Sequence, residues 1–151
     1  MTTTNSVYIN RIFNCSTQQL FNWMVKPNLL TKWFGPKHLS TGIIESDLKV
    51  GGNYRIELLK DQGNTFFIEG QYIEIDEPSK LVFSFKYKGL PHTPPDSIIK
   101  IIIEEIESSV SKLSLIQKFE MIPTDMENRL RAWENMFEKL NKEIKMVANK
   151  V

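Results

Sequence analysis

The stretch TDMENRLRAWENMFEKLNKEIKMVANKV, residues 124–151, decides the fold of this chain. Its apolar residues recur in alternating steps of four and three, which places them along one face of an α-helix of about seven turns. They are Met126, Leu130, Trp133, Phe137, Leu140, Ile144 and Val147. A helix with so wide an apolar face must lie on another element, and the strands predicted upstream are the only large partner. The sequence therefore predicts a helix held by a curved sheet, an arrangement that often leaves a pocket between the two.

Residues 41–121 show the alternation of apolar and polar residues that is typical of antiparallel β-strands. Strands are predicted at residues 41–48, 54–60, 65–76, 81–87, 98–107 and 110–121, after a first strand at residues 6–13. Gly51-Gly52 marks a bend or bulge, and Asp61-Gln62-Gly63-Asn64 marks a turn. The longest loop, residues 88–96, contains Gly89 and three prolines and is a candidate lid.

Two short helices are predicted between the first strand and the second. Ser16 is followed three residues later by Gln19, which together form a capping box for a helix over residues 17–25. Pro27 either ends this helix or opens the next one. A second helix is predicted over residues 29–34 and is stopped by Gly35-Pro36. Thr124 and Glu127 form a second capping box, for the long helix. Strands in series with segregated helices predict the α+β class.

The overall composition predicts one globular domain spanning residues 1–151. The formal net charge of +1 gives no electrostatic case for binding nucleic acid or an anionic membrane surface. One cysteine, Cys15, excludes an internal disulfide and fits a reducing compartment. The chain has no apolar run of transmembrane length, and its start lacks the apolar segment of a secretory signal. We therefore expect a cytoplasmic location.

Gln117 and Trp133 are the most informative polar positions of the predicted core. Gln117 shares its strand face with Leu113, Leu115, Phe119 and Met121, so we expect it to be buried. A buried amide must be hydrogen-bonded, because leaving it unpaired costs about 1–3 kcal/mol. Its partner is either a neighbouring backbone group or a ligand. The Trp133 indole N–H likewise needs an acceptor, which a polar cavity wall could supply.

The sequence contains no strong catalytic or metal-binding pattern. His38 and His92 have no cysteine, histidine or carboxylate at ligand spacing, so neither a metal nor a cofactor is predicted. Cys15 is predicted to pack at a helix start, without a base beside it. Glu57 and Glu69 lie on adjacent predicted strands. They are either exposed strand charges or a carboxylate pair suited to acid–base chemistry.

The strand that contains Ile98-Ile99-Lys100-Ile101-Ile102-Ile103 is apolar on both faces. One face can meet the core, and the other must meet a loop, a helix or another chain. An uncovered strand of this kind is an aggregation hazard. A homodimer formed through this strand is therefore one prediction.

Five short motifs, in order along the chain, resemble one known family. They are the opening Arg11 with a helix from Ser16, the corner Trp33-Phe34-Gly35-Pro36, the strand entry Val50-Gly51-Gly52-Asn53-Tyr54-Arg55, the central hairpin Glu69-Gly70-Gln71-Tyr72 with Glu77-Pro78 and Leu81-Val82-Phe83, and Ala132-Trp133. Ala132 stands where the family usually has glycine. On these motifs the chain resembles the activator-of-heat-shock-protein-ATPase-homologue family of the START/SRPBCC superfamily, over about residues 8–148. The resemblance implies the helix-grip fold, which is also that of the birch-pollen allergen.

The resemblance implies a fold that hosts lipid carriers, hormone receptors, cyclases and chaperone partners. We predict a protein that holds a hydrophobic or aromatic small molecule between the sheet and the C-terminal helix. The predicted cavity-lining residues are Trp33, Phe34, Tyr54, Tyr72, Phe83, Phe85, Gln117, Phe119, Trp133 and Phe137. One alternative is an interaction module that stimulates a chaperone ATPase. Another is a cyclase or hydrolase that uses the same cavity, with Glu57 or Glu69 as its ionisable group.

Overall fold

The computed structural model describes residues 5–35, 39–60 and 65–148. The elements in chain order are β1 (Ser6–Phe13), α1 (Thr17–Val25), α2 (Pro27–Trp33), β2 (Ser40–Ser46), β3 (Asn53–Leu59), β4 (Thr65–Asp76), β5 (Lys80–Lys88), β6 (Ser97–Glu107), β7 (Val110–Phe119) and α3 (Met126–Ala148). This order confirms the α+β class. The predicted turn at residues 61–64, the stop at Pro36 and the loop residue His38 lie outside the described residues.

All seven strands form one antiparallel sheet in the order β1-β7-β6-β5-β4-β3-β2. Side chains alternate between its faces, and the inner face carries the core. In β3, Tyr54, Ile56 and Leu58 are buried. These three side chains therefore lie on the inner face of the sheet, which the sequence left open because a bulge at Gly51-Gly52 could reverse the alternation. Gly51 has φ +84°, which glycine adopts at little cost and other residues rarely adopt.

The helix α3 crosses the inner face of the sheet, as the apolar stripe predicts. Trp133, Phe137, Leu140 and Ile144 are buried. The prediction that Val147 belongs to the buried face is wrong, because Val147 is 51% exposed where the helix extends beyond the core. No helix within the described residues combines the length and apolar character that crossing a bilayer requires.

The start of α3 differs from the prediction. The helix begins at Met126, two residues after the predicted cap Thr124. The backbone carbonyl of Asp125 accepts hydrogen bonds from the N–H groups of Asn128 and Arg129. The first turn is therefore organised around Asp125, which also places the Asp125 side chain beside Arg129, four residues further on.

The two short helices follow their sequence signals closely. The Ser16–Gln19 capping box is confirmed, with both reciprocal hydrogen bonds formed. Pro27 opens α2, which is one of the two roles predicted for it, and the helix therefore begins two residues before the predicted bound at residue 29. Proline is well suited to this first position, where its missing N–H group costs no intrahelical hydrogen bond.

The corner after α2 attaches this region to α3. The Trp33 indole N–H donates to the Trp23 carbonyl at 3.0 Å. The Gly35 N–H points at the Met136 sulfur at 3.2 Å, and the Lys139 ammonium donates to the Gly35 carbonyl at 2.7 Å. These contacts bury Met136, which the apolar stripe did not include, because α2 covers a second side of α3.

The isoleucine-rich strand β6 lies inside the sheet and pairs with both β5 and β7. Ile99, Ile101 and Ile103 are buried against the core, whereas Ile98 on the opposite face is 41% exposed. Because both edges of β6 are paired, a homodimer through this strand would have to use its outer face. The homodimer stays a prediction.

Candidate functional site

A cavity of about 590 Å³ lies between the inner face of the sheet and the N-terminal half of α3. We call it the sheet–helix cavity. The backbone of α3 approaches β1 and α2, so the opposite side of the helix faces β3, β4 and β5 across an open space. Two loops, residues 89–96 and 120–125, flank the mouth.

The walls of the sheet–helix cavity are mostly apolar. Its inner wall consists of Phe34, Leu58, Phe66, Ile68, Phe85, Trp133 and Met136. At the mouth, Met121 is 67% exposed and Ile122 is 50% exposed. Met121 was predicted to continue the inward face of the last strand, but that strand ends at Phe119 and the chain turns toward α3. Apolar side chains therefore extend from the interior to the entrance.

The structure divides the predicted lining residues into two groups. Phe34, Phe85, Gln117 and Trp133 line the sheet–helix cavity. Trp33, Tyr54, Tyr72, Phe83 and Phe137 surround a neighbouring void of only about 40 Å³. Phe119 is buried but lines neither space. Strand and helix parity correctly predicted that most of these rings lie on the inner face. The rings of the second group, however, pack against one another and fill the space that was predicted to be part of the cavity.

The filled part of the interior is an aromatic cluster around Tyr54. Its ring centroid lies 5.5 Å from that of Tyr72 and 5.6 Å from that of Phe83. The Tyr54 hydroxyl donates to the Ser84 carbonyl at 2.6 Å, and the Tyr72 hydroxyl is 2.7 Å from the Ser46 hydroxyl. Burial raises the pKa of both tyrosines. Because both hydroxyls are hydrogen-bonded, this cluster is a satisfied core.

Gln117 and Trp133 are partners of one another. The Trp133 indole N–H donates to the Gln117 side-chain oxygen at 2.8 Å. The Gln117 amide nitrogen in turn donates to the Ser97 hydroxyl at 2.9 Å. Gln117 is 2% exposed, so the prediction of a buried, hydrogen-bonded glutamine is confirmed. The predicted backbone partner is wrong, because Gln117 bonds to the side chains of Trp133 and Ser97 and not to a backbone group. Gln117 thereby fixes the Trp133 ring against the cavity.

A second polar group on the wall centres on Arg129. One terminal guanidinium nitrogen donates to the Tyr87 hydroxyl at 3.1 Å, and the other donates to the Asp125 carboxylate at 3.0 Å. The Arg129 Nε atom is buried without a hydrogen-bond partner among the described residues. Burial raises the pKa of Tyr87, against a smaller lowering by Arg129. Tyr87 therefore stays protonated at neutral pH.

Sequence reasoning missed Arg129 and Tyr87, although both follow its own periodicities. Arg129 precedes Trp133 by four residues, so the two lie on neighbouring turns of one helix face. Tyr87 follows Phe85 by two residues and shares its strand face. Arginine is not part of the apolar pattern that defined the helix face, so that pattern did not select Arg129, which lies beside Asp125 of the loop at residues 120–125.

The two carboxylates considered for catalysis lie on the outer face of the sheet. Glu69 pairs with Arg55 at 3.7 Å, and Glu57 accepts a hydrogen bond from the Ile43 N–H at 3.1 Å. Their strand neighbours on the inner face are Ile56 and Ile68. The prediction that Glu57 and Glu69 are charged residues on the outside of the strands is confirmed. The prediction that one of them is an ionisable group inside the cavity is wrong.

Cys15 is poorly suited to nucleophilic chemistry. It is buried, and burial raises the pKa of its thiol to about 11 from a reference value of 9.0. We expect native Cys15 to react with a disulfide reagent at about pH 8 at least ~100-fold more slowly than in the unfolded chain, because the reactive thiolate is depleted. The increase in absorbance after the protein is mixed with the reagent, recorded with and without denaturant, gives both rates. Equal rates would contradict the burial of this thiol.

A curved antiparallel sheet that grips a long C-terminal helix around a cavity defines the helix-grip class of α+β proteins. Within that class, the model of the family described as Activator of Hsp90 ATPase homolog 1-like protein matches residues 14–145. The chain belongs to this family, which confirms the resemblance inferred from its motifs. None of the curated proteins compared with the chain matches it.

Solved structures support the same fold. Protein CV1439 from Chromobacterium violaceum has a TM-score of 0.83 at 22% identity, covering 93% of this chain and 96% of that chain. Protein NE0264 from Nitrosomonas europaea has a TM-score of 0.81 at 20% identity, covering 93% and 94%. The AHSA1 protein from Silicibacter pomeroyi has a TM-score of 0.78 at 21% identity, covering 93% and 98%. At these identities the likeness concerns the fold.

Proposed function

We propose that this protein binds an apolar or aromatic small molecule in the sheet–helix cavity. The observation that carries the proposal is the space of about 590 Å³ that the chain leaves beside a tightly filled aromatic cluster. Ligand sites are typically concave spaces of a few hundred Å³ with apolar walls and few polar groups. The cavity has this size and this chemistry.

The energetics of the cavity favour an apolar occupant. Protein interiors pack as densely as organic crystals, and unfilled apolar space forfeits the contacts that its lining would otherwise make. Each Å² of apolar surface that a ligand removes from water contributes about 25 cal/mol. The apolar entrance formed with Met121 and Ile122 provides a path that an apolar molecule can follow.

Native mass spectrometry of freshly purified protein tests the proposal. We expect a reproducible mass excess over the chain that disappears on denaturation, and its value identifies the class of ligand. A titration with the neutral dye Nile red adds a measurement that does not depend on a copurified molecule. An apo mass together with no saturable dye binding would contradict the proposal.

A cavity-filling variant links binding to this site. Ala132 lines the cavity from α3, so Ala132→Trp is expected to occupy it and to weaken Nile red binding at least ~10-fold, a change of about 1.4 kcal/mol. Glu134→Trp adds the same ring at an exposed position of the same helix and serves as the control. Equal Nile red binding by both variants would mean that the dye binds outside the sheet–helix cavity.

The other functions expected from the sequence stay predictions. Stimulation of a chaperone ATPase, which the family description names, would need an exposed surface and not a cavity. A pulldown with the chaperone, repeated with Ala132→Trp, separates the two functions because the substituted side chain belongs to the cavity wall.

A further inference from the structure

We propose that Trp133 is the specificity-determining residue of the sheet–helix cavity, because its ring forms the end wall that limits how far a ligand extends inward. This inference rests on the proposed function and deepens it by naming the class of ligand. A compact apolar molecule, such as a small fused-ring compound, fits the site along its whole length. A long acyl chain does not, because its end finds no space behind Trp133 and stays at the mouth.

Three aromatic side chains separate the sheet–helix cavity from the small void behind it. Among the described residues, Phe34, Phe85 and Trp133 are those that line both spaces. Trp133 is the central one, because its ring centroid lies 6.3 Å from that of Phe34 and 6.2 Å from that of Phe85. Rings with centroids about 4.5–7 Å apart are in packing contact. The three rings therefore form one wall, which we call the aromatic partition.

The Trp133 ring is held in place on several sides. Its indole N–H donates to the Gln117 side-chain oxygen at 2.8 Å, and the Gln117 amide nitrogen donates to the Ser97 hydroxyl at 2.9 Å. Phe137, one turn further along α3, packs on the ring with a centroid distance of 5.8 Å. Turning the ring aside would break the hydrogen bond to a buried amide, which is unfavourable in the interior. A longer ligand therefore meets a fixed wall.

The position of Trp133 along α3 sets the depth of the site. The loop at residues 120–125 flanks the mouth, and α3 begins at Met126 directly after it. Trp133 lies seven residues further along the helix, a distance of about 10 Å at about 1.5 Å per residue. Behind the aromatic partition the void measures only about 40 Å³, against about 590 Å³ in front of it. The usable space therefore ends about two helical turns inside the mouth.

A homologous series of probes measures this limit directly. The 4-n-alkylphenols from ethyl to nonyl are neutral and differ only in chain length. Equilibrium dialysis of the full chain, with phenol fluorescence read in the protein-free chamber, gives each dissociation constant. Each methylene group that becomes buried tightens binding about fourfold. For the unchanged chain we expect this gain to stop within the series, at the length where the probe reaches Trp133.

Two variants open the aromatic partition, Trp133→Leu and Phe34→Val. We expect each to move the limit to longer probes by at least about two methylene groups, because the space left by the ring joins the cavity to the void. Trp133→Leu also removes the hydrogen bond to Gln117. Phe34→Val keeps that bond, and valine suits the extended backbone at this position (φ −73°, ψ 141°). It preserves the test if Trp133→Leu fails to fold.

Phe66→Val is the matched control. Phe66 is buried in β4 and lines the sheet–helix cavity but not the void. The same loss of volume as in Phe34→Val therefore widens the cavity without opening the aromatic partition. We expect its limit to stay within about one methylene group of that of the unchanged chain. Thermal unfolding of each variant confirms that it is folded.

The outcomes distinguish this inference from the proposed function. Binding that keeps tightening through the nonyl probe in the unchanged chain would overturn the end wall and leave the proposed function standing. So would a limit that the folded partition variants do not move, or one that Phe66→Val moves as far as Phe34→Val. Nile red binding without binding of any alkylphenol would also overturn the inference alone. Binding of neither the dye nor any alkylphenol would overturn the proposed function, and the inference with it.

Discussion

Trp133→Ala is expected to lower the free energy of unfolding by about 3–5 kcal/mol. The indole ring is buried between Phe34, Phe85 and Phe137, with centroid distances of 6.3, 6.2 and 5.8 Å. Its removal joins the sheet–helix cavity to the smaller void, which Trp133 also lines. It also deprives the buried Gln117 oxygen of its donor. Urea unfolding followed by circular dichroism measures the loss.

Two other variants serve as controls for the loss expected from Trp133→Ala. Glu134→Ala changes the next residue of α3, which is exposed, and is expected to cost less than about 0.5 kcal/mol. Trp133→Phe keeps a ring but removes the N–H donor, so it is expected to cost about 1–3 kcal/mol. A loss below about 1 kcal/mol for Trp133→Ala would mean that the ring is not packed as described.

Gly70→Ala is expected to lower the free energy of unfolding by about 2–3 kcal/mol. A Cβ atom at Gly70 would lie 2.0 Å from the Ser84 carbonyl oxygen and 2.8 Å from a ring carbon of Tyr54. The Ser84 oxygen is backbone and accepts the Tyr54 hydroxyl hydrogen bond at 2.6 Å. The steric clash of the added Cβ atom can therefore be relieved only if β4 and β5 separate or the aromatic cluster moves. Urea unfolding gives the loss.

Gly42→Ala is the matched control for this prediction. Its added Cβ atom would lie equally near another atom, at 2.1 Å, but that atom is the carboxylate end of Glu57. The Glu57 side chain can rotate away by giving up its exposed hydrogen bond from the Ile43 N–H, a loss of about 0.5–1.5 kcal/mol. This loss is partly offset because alanine loses less chain entropy on folding than glycine, by about 0.5–1 kcal/mol. We expect a change below about 1 kcal/mol. Equal losses for the two variants would contradict the assigned role of the Ser84 backbone.

The separation of the aromatic cluster from the cavity gives the interior two different tasks. Rings around Tyr54 fill their space and hold β3, β4 and β5 together. Trp133 stands at the boundary and is fixed by Gln117. A boundary fixed by this hydrogen bond would help to keep the shape of the empty cavity, so the proposed ligand would meet walls that are already in place.

The sequence by itself determined the order of the elements and, away from the Gly51-Gly52 bulge, the side of most elements that faces inward. Local signals were sufficient for this, because helix and strand periods and the Ser16 cap act over a few residues. The burial of Gln117 and of the α3 stripe through Ile144 followed from the same periods. The exposure of Val147 depended instead on where the core ends.

Only the tertiary structure decided where the interior stays open. Parity placed Tyr54 and Phe85 on the same inner face, but the distance of each strand from α3 separated filled space from the cavity. It also brought Tyr87 from β5 to Arg129 of α3, which are 42 residues apart in the chain. Hydrophobic burial is proportional to area and is not directional. A pattern of apolar residues therefore specifies which side chains leave water, and the packing of whole elements specifies the space that remains between them.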